Sequence, residues 1–167
     1  MTVSEELKDK AYQLGFEYES TRGSCSQCVL AALQETIGGV DDQVFQAIQG
    51  LSGGTVSFGS GTCGALVGGI VMIGSEVGRT KVQFDNQTPN RKVVEIGHKL
   101  AERFNEYYDG ITCAEVQTKE MGRAFNMLDA EDKQNFIKQG GHSVHCSSVC
   151  GNAARWTIEI MEENGLI

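Results

Sequence analysis

Apolar residues along this chain return every three to four positions and hardly anywhere alternate. That restricts the chain to helices packed on helices. Leu7, Ala11, Leu14 and Tyr18 make one face of a helix predicted over 4–19, with Ser4 as its cap and Glu5 and Glu6 in its first turn. Val29, Ala32, Leu33 and Ile37 do the same over 26–37, where Gly38-Gly39 stops the helix. Asp41 or Asp42 caps a short helix through Val44, Phe45 and Ile48. A glycine-rich linker over 50–61 separates these from a helix over 63–77, whose ridge is Leu66, Ile70, Ile73 and Val77. Gly64, Ala65 and Gly68 give that helix a small face, which reads first as a place for tight helix packing. A long helix follows over 90–108 and Asp109-Gly110 ends it. Thr112 caps a turn starting at Cys113, Asp129 caps a helix through Phe136 and Ile137, and the last helix runs over 151–163. Val77–Phe84 is the single strand candidate. The expectation is an all-α fold, one compact bundle-like domain of several helices over 1–167.

Composition removes several function classes. At 167 residues, 40% of them hydrophobic, the chain can bury a core without staples. A formal charge of −8, with Arg91-Lys92 as the only adjacent basic pair, argues against nucleic acid and anionic membrane surfaces as partners. The most apolar run, Ala65–Gly74, is too short to span a bilayer. Met1–Glu6 has neither the basic start nor the apolar centre of an export signal, so a cytoplasmic location is expected.

Six cysteines in such a chain need a reason, since a reducing compartment disfavours structural disulfides. They are Cys25, Cys28, Cys63, Cys113, Cys146 and Cys150, and most follow a Gly, Ser or Thr at a predicted helix start. Free N–H groups and the positive helix end favour a thiolate there, which is both nucleophile and metal ligand. Cys25-Ser26-Gln27-Cys28 has redox-dithiol spacing and equally that of half a metal site, but no strand precedes it as a thioredoxin-like fold requires. His142, His145, Cys146 and Cys150 fall within nine residues and can complete a mixed thiolate–imidazole site with Cys25 and Cys28. His98 reads as a structural or surface residue. The glycines before Cys63 lack GxxxxGK[ST], which excludes a nucleotide loop. No local frame joins a nucleophile to a base, so a hydrolytic triad is unsupported. Cys63 stands out: Thr62 as a cap, free loop amides and Gly64 beside it predict a lowered pKa, with Phe58 covering the site and Cys28 as its nearest partner.

The chain resembles the family of redox-active proteins named for its cysteine pattern, C-GCAxxG-C-C. The match runs through Cys28 in Cys-Ser-Gln-Cys-Val-Leu, Cys63 in Thr62-Cys63-Gly64-Ala65-Leu66-Val67-Gly68, Cys113 in Gly-Ile-Thr-Cys, and Cys150 before the last helix. It covers about 10–162. Thr62 and Gly64 depart from the pattern, small residue for small residue, and Cys25 and Cys146 are additions to it. The resemblance implies redox activity carried by cysteines. With Val29 after Cys28 there is no CxxCH, so covalent haem attachment is unsupported.

Three readings stay open. In the first, Cys25, Cys28, Cys63, Cys113 and Cys150 serve a thiol–disulfide redox or electron-transfer protein, with a separate redox protein as partner. In the second, Cys28, Cys63, Cys113 and Cys150 hold an iron–sulfur cluster or zinc. In the third, the thiols only fill a core. Under the first two, the four cysteines converge in space. The sequence leaves open whether a cofactor is needed at all and whether a homodimer shares the site.

Overall fold

The structure is a computed structural model that describes residues 3–167; Met1 and Thr2, the start of the stretch read for an export signal, lie outside the described residues. It is all-helical. In chain order come α1 (Glu5–Thr21), α2 (Cys25–Ile37), α3 (Asp42–Ala47), a 3-10 turn (Ile48–Leu51), α4 (Gly64–Val77), α5 (Lys81–Asp85), α6 (Lys92–Tyr108), α7 (Cys113–Met121), α8 (Ala130–Lys138), a π-helical turn (Gly141–His145) and α9 (Cys146–Glu163). The strand candidate is instead the end of α4, the turn that follows it and most of α5, which Thr80 and Gln83 open with a reciprocal capping box. The last helix begins five residues before the expected Gly151, because the π turn feeds directly into it.

Two long helices form the spine. α1 lies along α9, α2 packs against both, and α4 packs against α2 and α9. The spine is close because small residues face each other. A Cβ on Gly15 of α1 would sit 2.7 Å from the Cys150 carbonyl of α9, and one on Gly151 would sit 2.8 Å from the Tyr12 ring. The small face of α4 works in the same way, since a Cβ on Gly68 would lie 2.8 Å from the Ser26 carbonyl. α6 closes the far side with Leu100, Phe104 and Tyr108, all buried. The core is one continuous cluster from α1 to α9, and Cys28, Cys63 and Cys150 belong to it. Helices in this chain thus gain their stability from a shared apolar interior rather than from propensity alone.

Candidate functional site

Two helix starts are tied together by a short antiparallel bridge. Thr62 pairs with Thr112. Around that bridge the Cys63 N–H donates to the Ile111 carbonyl at 2.7 Å, and the Cys113 N–H donates to the Gly61 carbonyl at 3.0 Å. The residue after each threonine is the cysteine, so Cys63 at the mouth of α4 and Cys113 at the first position of α7 come side by side. Thr112 also caps α7 through a capping box with Glu115. Thr62 does not cap α4; its place in the bridge leaves Cys63 as the N-cap residue, with no side-chain cap.

Cys25 reaches the same place from α2. A Cβ on Gly64 would collide with its sulfur, so the glycine beside Cys63 is where the Cys25 thiol fits. From the other direction α9 brings Cys146 in its first turn and Cys150 one turn later. The result is a cavity of about 330 Å³ lined by Cys25, Cys63, Cys113, Cys146 and Cys150. Cys28 is not among its lining residues. Its sulfur turns back to donate to the Gly23 carbonyl at 2.8 Å and lies beside a separate shallow hollow with Tyr18 and Arg22. Thus of the four cysteines expected to converge, three line the cavity, and Cys25 and Cys146 join them in place of Cys28.

The mouth of the cavity carries an unusual loop. Gly53, Gly54, Thr55, Val56 and Ser57 are five consecutive residues with φ between 44° and 70°, a left-handed turn. For β-branched Thr55 and Val56 this conformation is strained. The turn is held by N–H donation from Val56 to Gly50 at 2.8 Å and from Gly59 to Gly53 at 3.0 Å. Val56 and Ser57 line the cavity, whereas Phe58, expected to cover the site, is exposed.

Two polar side chains complete the floor. Glu19, near the end of α1, is 2% exposed, and its Oε1 lies 2.7 Å from Nδ1 of His142 in the π turn. The Cys150 thiol faces the other carboxylate oxygen, Oε2, at 3.9 Å. Gln117 of α7 donates from Nε2 to the Cys113 sulfur at 3.4 Å and accepts the Phe125 N–H at 2.8 Å. Glu19 was not singled out from the sequence, although the signal was present. Ala11, Gly15 and Glu19 are spaced i, i+4, i+8, which carries a carboxylate into the buried stripe of α1.

The thiols are not acidic at rest. Burial pushes the Cys63 thiol well above its ordinary value, and the neighbouring Cys25 and Cys113 sulfurs add to this, while the N–H groups of Ala65 and Leu66 pull the other way. The expected low pKa of Cys63 is therefore corrected: the helix-start donors exist, but loss of water outweighs them. Burial and then the Glu19 charge push Cys25 up to about 12, against donors on Gly53 and Ser52. Cys113 is pushed up to about 11, chiefly by burial, against the Gln117 amide. Cys28, Cys146 and Cys150 are also raised, by burial first and the Glu19 charge second.

Two further expectations are overturned. All six cysteines are free thiols, and the structure contains no disulfide among the described residues. No group of three or more His, Cys, Asp or Glu side chains among the described residues is arranged to hold a metal ion, so Cys28, Cys63, Cys113 and Cys150 are not a ligand set for iron–sulfur or zinc. The turning away of Cys28 toward the Gly23 carbonyl accounts for this, since a metal needs converging ligands. No helix among the described residues is long and apolar enough to cross a membrane.

No curated protein and no solved structure matches this chain. A family model does, over residues 24–160, and its description is "Putative redox-active protein (C_GCAxxG_C_C)". The matched stretch contains all five cavity cysteines, and with most of its 167 residues inside that match the chain belongs to the C_GCAxxG_C_C family.

Proposed function

We propose that the chain is a thiol-based redox protein whose working groups are the cysteines at helix starts around the central cavity. The observation that carries this reading is that five of the six thiols line one cavity of about 330 Å³. Thiols that only filled a core would have no reason to share a solvent-connected space. Their raised pKa values suit a reductant kept in its protonated form until an acceptor arrives, since the thiolate is the reactive species.

With a hydroperoxide as acceptor the chemistry balances within the cavity. The sulfur attacks one oxygen, an S–O bond forms and the O–O bond breaks. The thiol proton leaves with the departing oxygen as water or alcohol. The sulfur has then lost two electrons and is a sulfenic acid. Two electrons and two protons from an external thiol reductant restore the thiol and release water. A separate redox protein fits the role of that reductant.

The test is a free-thiol count, cysteine by cysteine, by mass spectrometry. It is made on the reduced protein, after stoichiometric hydrogen peroxide, and after re-reduction by an external thiol. Oxidation is expected at the cavity cysteines, Cys63 and Cys25 foremost, with full recovery and with Cys28 spared. Cys63→Ser should lower the rate of peroxide consumption at least about tenfold with helix content unchanged. Uniform slow oxidation of all six thiols, or oxidation that no thiol reverses, would reject the proposal.

A further inference from the structure

A raised thiol needs a base before it can react, and the cavity contains one candidate route for the proton. We infer that Glu19 and His142 form a proton relay that activates Cys150 from the floor of the cavity. The inference rests on the cavity being the working site and adds the groups that move the proton.

Three observations meet here. Glu19 is buried between both partners: its Oε2 lies 3.9 Å from the Cys150 thiol, whose other acceptor is the Cys25 carbonyl at 3.8 Å, and its Oε1 lies 2.7 Å from His142 Nδ1. The His142 side chain is 40% exposed, so its ring joins the buried carboxylate to solvent. Its position is built rather than incidental. It lies in a π-helical turn, a backbone form that concentrates at functional sites. The Phe136 ring packs edge-on against it, with centroids 4.9 Å apart, and that ring occupies the space where Gly141 would carry a side chain.

The transfer balances without any outside group. With the neutral imidazole proton on Nε2, Nδ1 is free to accept. Glu19 starts as a carboxylate: Oε2 takes the proton from Cys150, breaking the S–H bond, and the carboxylic acid so formed gives that proton up to Nδ1. Glu19 is a carboxylate again, and the products are a thiolate and an imidazolium on either side of it. Glu19 contacts the reacting sulfur; His142 acts through it.

Other charges near the relay are accounted for. α2 presents Cys25 and Cys28 toward Glu19, and α9 presents Cys146 beside Cys150. Cys113 of α7 and Lys133 of α8 face the same cavity. Arg22 lies over the Tyr18 ring, 4.1 Å from its centroid. His145 turns away to Glu120, at 3.5 Å.

The experiment is labelling by methyl methanethiosulfonate, small and uncharged, read at each cysteine by mass spectrometry from pH 5 to 9. It requires no redox turnover, so it fails or succeeds apart from the redox proposal. In the wild type, Cys150 labelling should reach a plateau as pH rises, the signature of general-base assistance to the thiol. In His142→Gln and Glu19→Gln the plateau should vanish. The rate should then climb about tenfold per pH unit and lie about 100-fold below wild type at pH 7, within the general-base range of roughly 10²–10⁴. Partly exposed His142 can be replaced without unfolding the chain, so His142→Gln decides the matter even if Glu19→Gln folds poorly. The same pH profile in His142→Gln as in wild type, or no labelling of wild-type Cys150, overturns the relay.

Discussion

At the scale of single residues the site is a matter of who occupies whose space. Gly64 has no room for a methyl group because the Cys25 sulfur is already there. Gly64→Ala must push that sulfur aside, and overpacking of this kind costs about 1–3 kcal/mol. The urea midpoint should fall with an unchanged slope. Cys25→Ala in the same chain should recover part of the loss, and a double mutant no more stable than Gly64→Ala alone would sink the assignment. This contact also shows what the CxxC spacing leaves open, namely which of Cys25 and Cys28 faces the cavity. Positions three apart on a helix differ by about 60° around its axis. Both cysteines of the pair stand at the start of α2, but the pattern holds no hint of which one that small rotation sends to the cavity. Only the Cys28 sulfur's bond to the Gly23 carbonyl decides it. The Cys63 pKa failed for a similar reason. Donors at a helix start are visible in a sequence, but the depth at which the start is buried is not.

At the scale of elements, the site depends on two joints. The first is the bridge that pairs the starts of α4 and α7. Thr112→Ala removes the capping oxygen that accepts the Glu115 N–H at 3.2 Å, and the loss should be about 1 kcal/mol. Hydrogen exchange localises the effect, with faster exchange at the first amides of α7 and little change in α9. Even exchange across the chain would mean that the cap does not hold this joint. The second joint is the left-handed turn over 53–57. Val56 has φ 44° and is 67% exposed, so it carries strain and little packing. Val56→Gly should therefore stabilise the protein, by up to about 1 kcal/mol, read as a higher thermal midpoint. A lower midpoint would show that the Val56 side chain matters more than its backbone. Helix periodicity announced nearly every α-helix here, because each has a stripe that must face the core. The glycine-rich stretch announced a linker with free amides beside Cys63; its handedness arises from hydrogen bonds between residues that share no periodic pattern.

At the scale of the whole molecule, helices from both halves of the chain gather their thiols around one apolar space, and that arrangement has a consequence for stability. We propose that the chain folds as one unit, so ionisation of any buried thiol is felt by the whole fold. An exposed thiol in the unfolded chain ionises near pH 8.5. In the native state Cys113 keeps its proton to about pH 11 and Cys25 to about pH 12. Below about pH 8.5 both states hold these protons and the thiols make no contribution to the pH dependence. Above it the unfolded chain sheds protons that the native protein retains, so the unfolded state binds fewer, and stability falls with rising pH. The fall continues until the native thiols themselves ionise. Each thiol protonated only in the native state adds about 1.4 kcal/mol of loss per pH unit in that window. Urea midpoints at pH 7, 8.5 and 10 should show a flat first interval and a steep second one. Cys25→Ser combined with Cys113→Ser should make the second interval shallower, while the raised Cys28, Cys63, Cys146 and Cys150 keep part of the slope in both proteins. Tyr108, whose phenol burial also pushes up, stays in both proteins and cancels in the comparison. Equal slopes in wild type and the double variant above pH 8.5 would show that these two thiols ionise as readily in the folded protein as outside it, and that the cavity is wetter than its burial implies.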